Sequence, residues 1–524
     1  MDEMSAEQRA QIVSAIEEKT AQLTAAVQQL RAENVEARAA SGPWVPPPMY
    51  PAAAVVEFRP TDTGAVFVPA QTPVEPTNGS GFAWQTGAPV TVAPIRVVFA
   101  DYVGHVPGLP DDPAPVHAVL RLRLVRIAEE WGADGAPDAV SLWFGAAAPE
   151  TAIPLFDALH FRPGPAFARG EEKKWARVRA GVGGFGADEA LFPVADEARL
   201  LVEAAAFDQK FFFLKLGGLA AVWGNGGALE LAVTVCAPRG DVRARAADFR
   251  VNCVPVVNLE RVQLSPVEFT PAARDRELSE PHILRVEGVA EMIAGTTEYG
   301  PAVRPGIGRG SGLGACGPEY FAWFRRRADG GHSPVISRRD AELNTDSPAS
   351  VLTRVNVLRC DGPAASRWHR GAEALLRSAG GVLTGELVTP ATGPIVLATL
   401  APPPSPLSGL MDAERTDALR AFVRAAGVTP QAARWAAAIT DVRVTVPEVC
   451  DLTLAPGEPF GPVNGRRVTV TLGDADELKA GLFAAALDRC LGLSTTRCEY
   501  TQLVLITPQE EFRCPPRLGS RTDL

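Results

Sequence analysis

Residues 312–317 have the spacing of a dinucleotide-binding loop. They match G-x-G-x-x-G, in which glycines let the backbone approach a pyrophosphate. Such a loop needs a strand before it and a helix after it. Here a Gly/Arg/Ser-rich stretch precedes the match and Pro318 follows it, so we interpret 312–317 as a flexible loop. A nucleotide-dependent enzyme that uses residues 306–317 stays as an alternative hypothesis.

Three carboxylates at Asp474, Asp476 and Glu477 have a composition that suits a metal ion. They also stand at the start of a helix predicted over 475–491, where capping and the helix dipole favour acidic residues. Gly492 follows the predicted end of this helix, as a terminating glycine does. No further ligand cluster is visible in the sequence, so we prefer the capping role.

The remaining reactive residue types form no catalytic pattern. The six histidines make neither H-x-x-x-H nor H-E-x-x-H, and no G-x-S-x-G elbow occurs. The eight cysteines include no C-x-x-C pair, and several lie in apolar runs, as reduced thiols of cytosolic proteins do. We therefore predict no catalytic residue, no metal site and no cofactor, and we expect that the chain is not an enzyme.

The charge balance bears on partners and location. The chain has 51 basic and 61 acidic residues, a formal charge of −10, which argues against a general polyanion binder and predicts no nucleic-acid partner. The short arginine runs at 325–327 and 338–339 are expected to be solvated loop surface. The N-terminus has no signal-peptide pattern, and no apolar run reaches the ~18 residues of a membrane helix. We expect a soluble, cytoplasmic protein.

The first 40 residues predict one long helix. Ser5 and Gln8 form a capping-box pattern, and residues 5–40 follow the helical period. Apolar residues recur at alternating spacings of three and four, with Thr20 and Asn34 in the same register, as in a coiled-coil seam. The apolar seam residues are Val13, Ile16, Leu23, Val27 and Leu30. We predict that this seam packs against helices of a partner; the alternative is a helix folded back onto its own domain.

The middle of the chain predicts a β-rich body after a proline-rich arm. Strands are predicted around Val55, at 94–100 and at 119–127, where apolar and basic residues alternate. A helix is predicted over 151–160. A hairpin is predicted over 219–235, with an Asn-Gly turn. Residues 300–345 are rich in Gly, Arg and Ser and predict a long loop around one ordered segment at 320–324.

The C-terminal part alternates strand and helix patterns. Strands are predicted at 351–359, 466–472 and 500–506, and helices at 366–378, 413–426, 431–439 and 475–491. The fold class is therefore α+β and multidomain, with a β-rich body, an N-terminal long helix and an α/β-mixed C-terminal domain. The predicted segments are the heptad helix (1–42), the arm and β-rich body (43–265), a strand and Gly/Arg-rich loop region (266–350) and the C-terminal α+β domain (351–524).

Two segments, 207–219 and 249–259, have the composition of a structural core. Four phenylalanines lie within 207–213, and each would contribute roughly 1.5–3 kcal/mol on burial. In the second segment, Asn252 and Asn258 interrupt an apolar run. Their amides are expected to satisfy backbone groups at strand ends rather than to bind a ligand.

Together the two segments resemble the TssF (VasA/ImpG) family, a wedge component of the type VI secretion baseplate. The first segment is similar to F-P-E-K-F-x-F-F-x-L-x-G-L, with Asp208 and Gln209 in place of Pro-Glu. The second is similar to F-x-L-N-C-T-P-V-V-N-L-F, with Val254 in place of Thr and Glu260 in place of Phe. Weaker matches extend the resemblance over most of residues 50–510. The motif residues that match are Phe207, Lys210, Phe211, Phe213, Leu216, Asn252, Cys253, Pro255, Asn258 and Leu259.

The resemblance implies a structural role in a type VI or related contractile injection machine. It implies a wedge made from two copies of this chain and one TssG-like protein, joined to a TssE-like sheath initiator, a TssK-like adaptor and the spike hub. It places the assembly in the cytoplasm at the inner face of the membrane, which it touches only through the adaptor and the membrane complex. Besides the nucleotide-dependent enzyme, a β-rich surface- or glycan-binding module stays as an alternative.

Overall fold

The structure is a computed structural model, and it describes the following parts of the chain. The described residues are 49–61, 64–77, 81–110, 116, 118–129, 131, 135–171, 174–193, 196–236, 242–270, 272–292, 297–300, 302, 306–307, 319–326, 332–339, 350–378, 381–396, 415–426, 429–446, 450–455, 458–473, 479–495 and 499–519.

Strands dominate the described chain. Those before residue 300 are β1 (Met49–Tyr50), β2 (Ala53–Phe58), β3 (Val66–Val68), β4 (Pro73–Pro76), β5 (Trp84–Thr86), β6 (Val90–Val92), β7 (Ile95–Val103), β8 (Ala118–Arg126), β9 (Ala139–Trp143), β10 (Pro163–Gly170), β11 (Ala176–Val182), β12 (Phe213–Gly217), β13 (Ala228–Val235), β14 (Cys253–Val257), β15 (Glu260–Gln263), β16 (Val267–Phe269), β17 (Asp275–Glu277) and β18 (Ile283–Glu291). Those after it are β19 (Gly306–Ile307), β20 (Glu319–Arg326), β21 (His332–Arg339), β22 (Val351–Arg359), β23 (Glu373–Ser378), β24 (Gly381–Leu387), β25 (Ile395–Val396), β26 (Ile439–Thr445), β27 (Cys450–Ala455), β28 (Glu458–Val463), β29 (Gly465–Leu472), β30 (Tyr500–Ile506), β31 (Glu511–Arg513) and β32 (Arg517–Leu518).

Helices are fewer and lie between the sheets. The α-helices among the described residues are α1 (Pro149–Phe161), α2 (Asp196–Ala206), α3 (Ala220–Trp223), α4 (Arg415–Ala426), α5 (Pro430–Ala438) and α6 (Ala480–Leu493). Short 3₁₀ turns occur at Ala187–Glu189, Asp208–Phe211, Ala246–Asp248 and Gly362–Arg367. The β-rich α+β class expected from the sequence is confirmed.

A seven-stranded antiparallel sheet forms the largest layer. Its order is β7-β8-β13-β10-β11-β12-β9. One face is apolar and buried, because alternate residues of each strand point to the same side. In β8, for example, Leu120, Leu122 and Leu124 are buried, whereas Arg123 is exposed. The alternation predicted for residues 119–127 therefore reflects one core face and one outer face.

A closed six-stranded barrel lies beside this sheet. Its order is β14-β2-β24-β23-β4-β5, so it takes strands from residues 53–86, 253–257 and 373–387. The interior contains Trp84 and Trp368, whose ring centroids are 4.7 Å apart. Because the barrel takes strands from two of the predicted segments, 43–265 and 351–524, those segments meet in one core. The segment boundaries themselves stay a prediction.

Two further sheets cover residues 260–360. One has β22 at its centre, paired with β15, β16 and β18, and the other has the order β17-β21-β20-β19. They share a core in which Phe269, Ile336 and Val357 are buried. The ordered segment predicted at 320–324 is confirmed as part of β20. A second strand, β21, was missed, because its Ser-Pro and Arg-Arg pairs suggested loop.

The C-terminal sheet is built around one buried helix. Its order is β26-β29-β30-β31, with β32 also paired to β30. The strands β29 and β30 are parallel, and α6 connects them. This helix packs against α1 and α2, so the C-terminal sheet and the seven-stranded sheet share a core.

Three sequence predictions about local structure are wrong. No hairpin spans 219–235, because residues 220–223 form α3 and β13 pairs with β8 and β10 instead. The helix predicted at 366–378 is a 3₁₀ turn followed by β23, since the barrel supplies strand partners to helix-forming residues. The C-terminal helix begins at Ala480 rather than 475, and Gly492 lies inside its last turn. The predicted strands at 351–359 and 500–506 are confirmed.

Several predictions concern residues outside the described part. These are the helix at 5–40 with its seam, the arm up to residue 48, the glycine motif at 312–317 and the acidic residues at 474–477.

Candidate functional site

The first motif segment is part of the main hydrophobic core. Residues Asp208–Phe211 form a 3₁₀ turn that leads into β12, which pairs with β11 and β9. The rings of Phe211 and Phe185 lie 4.9 Å apart, and those of Phe212 and Phe144 lie 5.8 Å apart. The motif side chains Phe207, Phe211, Phe213 and Leu216 are all buried. These residues therefore build the core and do not face solvent.

A buried charge cluster lies under this turn. Lys210 is 1% exposed, and its ammonium donates to Glu203 Oε2. Arg199 also reaches Glu203 Oε2, at 3.4 Å, and the N–H groups of Leu191 and Phe192 donate to Glu203 Oε1 at 2.7 and 3.0 Å. Burial lowers the pKa of Lys210, although the Glu203 carboxylate opposes this shift. The cluster holds the turn, α2 and the segment before α2 together.

A second carboxylate, Glu189, closes the neighbouring loop. It accepts hydrogen bonds from the N–H groups of Gly184 and Gly186, and it pairs with Lys215 at 2.6 Å. Burial raises the pKa of Glu189, but the Lys215 ion pair and the backbone hydrogen bonds outweigh it, so the pKa lies below its usual range. Glu189 is therefore ionised at neutral pH and fixes the loop to β12.

Asp208, which departs from the family motif, forms an ion pair with Lys479. Asp208 stands where the family has proline, and its carboxylate accepts from the Lys479 ammonium. Lys479 is the residue before α6 and has a φ of 48°. The pair therefore ties the first motif segment to the start of the C-terminal helix.

The second motif segment leads into the barrel. Asn252 has a φ of 57°, and its amide makes two hydrogen bonds of 2.9 Å to the backbone N–H and carbonyl of Ala93. Left-handed backbone is tolerated best by Gly and Asn, which explains an asparagine here. Cys253 follows it in β14, and burial raises the pKa of its thiol well above the usual value, which disfavours the reactive thiolate form.

Asn258 performs the same task at the other end of β14. Its Nδ2 donates to the Ala83 carbonyl at 2.7 Å and to Asp361 Oδ2 at 2.6 Å. Its Oδ1 accepts from the backbone N–H of Asp361 at 2.8 Å. Both asparagines thus satisfy backbone groups at strand ends. Of the other motif residues, Pro255 lies in β14 and Leu259 is the second residue after it.

Strand β9 brings the two motif segments together. Phe213 of β12 lies opposite Trp143 of β9. Trp143 in turn exchanges two backbone hydrogen bonds of 2.8 Å with Arg250. Sequence reasoning did not foresee this junction, nor the roles of Asp361 and Ala93. Arg199 and Glu203 lie before the first motif segment, within the range over which the weaker family matches extend.

The described residues contain no arrangement suited to metal chemistry. No group of three or more His, Cys, Asp or Glu side chains in this part of the chain is placed to hold a metal ion. His160, half-buried and stacked on the Phe156 ring beside Phe185, has its pKa lowered by desolvation and by Arg489 and Arg517 to about 3, so it is neutral. Among the helices that the structure describes, none has the length and apolar character needed to cross a membrane.

Comparison with known proteins shows the family of this chain. The family model described as "Type VI secretion system, TssF" matches residues 47–329, which include both motif segments. The chain belongs to the TssF family. No curated protein matches this TssF-family chain.

Solved structures show the same fold over almost the whole chain. One is a chain from the cryo-electron microscopy structure of the type VI secretion TssK-TssF-TssG baseplate subcomplex, with a TM-score of 0.65, 17% identity, and coverage of 98% of this chain and 99% of that one. A second is a chain from the baseplate complex of the type VI secretion system, with a TM-score of 0.53, 16% identity, and coverage of 90% and 86%. The likeness in fold therefore extends beyond residues 47–329.

Proposed function

We propose that this TssF-family chain is a structural component of the baseplate wedge of a type VI secretion or related contractile injection system. The observation that carries the proposal is the family match over residues 47–329, which contain both motif segments. The likeness in fold over nearly the full length of a chain in a TssK-TssF-TssG baseplate subcomplex supports it. The chain performs no enzymatic step in this role.

The proposed partners follow from the same comparison and from the family resemblance. A TssG-like and a TssK-like protein are the partners named with the similar structure. The resemblance adds a second copy of this chain, a TssE-like sheath initiator and the spike hub. The assembly would form in the cytoplasm and dock at the inner face of the membrane through the adaptor.

The internal use of the motif polar groups supports a scaffold role. Lys210, Asn252 and Asn258 each direct their polar atoms at groups of the same chain. A buried polar group that is fully satisfied rigidifies its surroundings and leaves no free donor for a ligand. A rigid body of this kind transmits force between neighbouring subunits.

The N-terminal helix predicted from the sequence is the proposed assembly element. Its seam residues, among them Leu23 and Leu30, would pack in a helical bundle with partner subunits. Such a helix is only marginally stable alone, so it gains most of its stability from the partner. Rearrangement of these bundles between wedges would accompany sheath contraction.

A pair of double variants tests the wedge role. Leu23→Asp with Leu30→Asp places two charges in the seam, whereas Ala25→Asp with Ala32→Asp places the same charges at the same spacing off the seam. We expect the first variant to lose co-purification with a co-expressed TssG-like protein and the second to keep it, because the seam excludes water. Circular dichroism should show that the β-rich body stays folded in both. Equal co-purification of the two variants would refute the proposal that the seam binds a partner. Failure of the unmodified chain to bind the TssG-like protein would refute the wedge role.

A further inference from the structure

One end of the seven-stranded sheet carries an exposed cluster of arginine and apolar side chains. Strand β7 is the terminal strand of this sheet among the described residues. On it, Val98 and Phe99 are each 40% exposed, and Ile127, just after the adjacent β8, is 51% exposed. The cluster, here called the β7–β8 patch, consists of Arg96, Val98, Phe99, Arg121, Arg123 and Ile127.

A β-bulge presents the apolar part of the patch. The register between β7 and β8 shifts between Val97 and Phe99, so Val98 has no residue opposite it. A bulge turns neighbouring side chains out of the regular alternation. Val98 and Phe99 are therefore both exposed although they are consecutive.

The two carboxylates that lie opposite Arg123 and Arg121 bond other groups. Glu230 of β13 lies opposite both Arg123 and Arg169, and it accepts two hydrogen bonds from Arg169, at 2.9 and 2.7 Å. Asp101 lies opposite Arg121, but it accepts from the backbone N–H of Tyr102 at 2.8 Å. Arg123 and Arg121 are thus left without an ion pair within the described part of the chain.

Arg121 instead lies over the Phe99 ring, with its guanidinium carbon 5.4 Å from the ring centre. Arg96, opposite Val125, is exposed and likewise forms no ion pair with any described residue. The patch therefore combines three arginines with the exposed apolar side chains of Val98, Phe99 and Ile127, on a protein whose total formal charge is −10. Arginine beside an aromatic ring is the composition of an interface centre rather than of ordinary surface.

We propose that the β7–β8 patch binds a carboxylate-bearing segment of another baseplate protein, with Phe99 as the apolar anchor and Arg121 and Arg123 as the carboxylate partners. Charge complementarity selects this occupant, because the patch supplies arginines that have no ion pair among the described residues, and the carboxylates opposite two of them bond other groups. The apolar centre and the acidic remainder of the chain disfavour a nucleic acid. The inference rests on the proposed function, since it takes the partner to be part of the baseplate.

Site-specific photocrosslinking tests the patch. Phe99 is replaced by p-benzoyl-phenylalanine in the full-length chain, which is co-expressed with the TssG-like protein and the other baseplate proteins. We expect an adduct on a protein peptide rich in Asp or Glu. Arg121→Glu with Arg123→Glu should lower the adduct yield about tenfold or more, as loss of interfacial guanidinium–carboxylate pairs does. Arg367→Glu with Arg370→Glu, two exposed arginines elsewhere, should leave the yield unchanged.

The outcomes separate this inference from the wedge role. Co-purification of the TssG-like protein from the same sample reports on the wedge role alone. No adduct, an adduct on nucleic acid or on a peptide without carboxylates, or a yield unaffected by the Arg121/Arg123 reversal would overturn the inference. If the double reversal lowers the thermal midpoint of unfolding, Arg123→Glu alone replaces it, because the exposed Arg123 side chain contributes little to the fold.

Discussion

At the scale of single residues, the polar members of the two motif segments are structural. Lys210, Asn252 and Asn258 are buried in apolar surroundings, where an unpaired polar group is costly. Each is compensated by partners from another part of the chain: Glu203 for Lys210, Ala93 for Asn252, and Asp361 for Asn258. The motif polar residues therefore depend on partners that the fold brings to them.

Replacing Lys210 by methionine tests this dependence. The change keeps the length of the side chain but leaves the buried Glu203 carboxylate without its ammonium partner, and we expect a loss of about 3 kcal/mol in the free energy of unfolding. Adding Glu203→Gln also removes the carboxylate that pairs with the buried Arg199 at 3.4 Å, so it should not restore the loss. Urea denaturation followed by tryptophan fluorescence measures both. Lys174→Met, at an exposed lysine, is the control, and equal stability of the two lysine variants would contradict the prediction.

At the scale of elements, local sequence patterns predicted strands and helices well where the tertiary contacts favour the same structure as the local preference. The strands at 351–359 and 500–506 are rich in β-branched and apolar residues, and they form as expected. Residues 373–378 contain good helix formers, yet they form β23, because β24 and β4 offer hydrogen-bonding partners on both sides. Tertiary pairing outweighs a propensity difference that amounts to only about 1 kcal/mol or less per residue.

The tight packing of β24 against β2 gives a prediction at this scale. A Cβ added at Gly385 would lie 2.7 Å from the Glu57 carbonyl and 2.8 Å from the Phe58 ring. Gly385→Ala should therefore force the strands apart and lower the free energy of unfolding by about 1–3 kcal/mol. Gly181→Ala, in a strand position with no atom within 4 Å of the new Cβ, should be neutral or slightly stabilising. Chemical denaturation compares the two, and an equal effect would contradict the packing argument.

At the scale of the whole molecule, the barrel and the shared core join distant parts of the chain. Strands β23 and β24 complete a barrel that begins with β2, about three hundred residues earlier in the chain. The entropic cost of joining such distant segments grows only slowly with the length of the chain between them. Helix α6 packs on α1 and α2. Residues before and after the 260–360 region are thus parts of one core, although the sequence suggests separate segments.

Cutting the chain at residue 350 tests this interdependence. A fragment of residues 43–350 lacks β23, β24 and α6, so the barrel stays open and its strand edges are unpaired. We expect the fragment to be insoluble or to lack a cooperative thermal transition. Co-expression with residues 351–524 should restore a soluble, cooperatively unfolding complex. A fragment 43–350 that folds alone would show that the shared core is dispensable.

The sequence by itself determined the family and the β-rich α+β class, because the spacing of apolar residues and the Phe-, Lys- and Asn-containing motifs are local signals. It also indicated that Asn252 and Asn258 serve the backbone, since an amide in an apolar run must be satisfied nearby. Only the tertiary structure decided which groups satisfy them, how the barrel closes, and that Arg121 and Arg123 have no carboxylate partner within the described ranges. Those outcomes depend on strand order and register, which bring together residues far apart in the chain and leave no periodic trace in it.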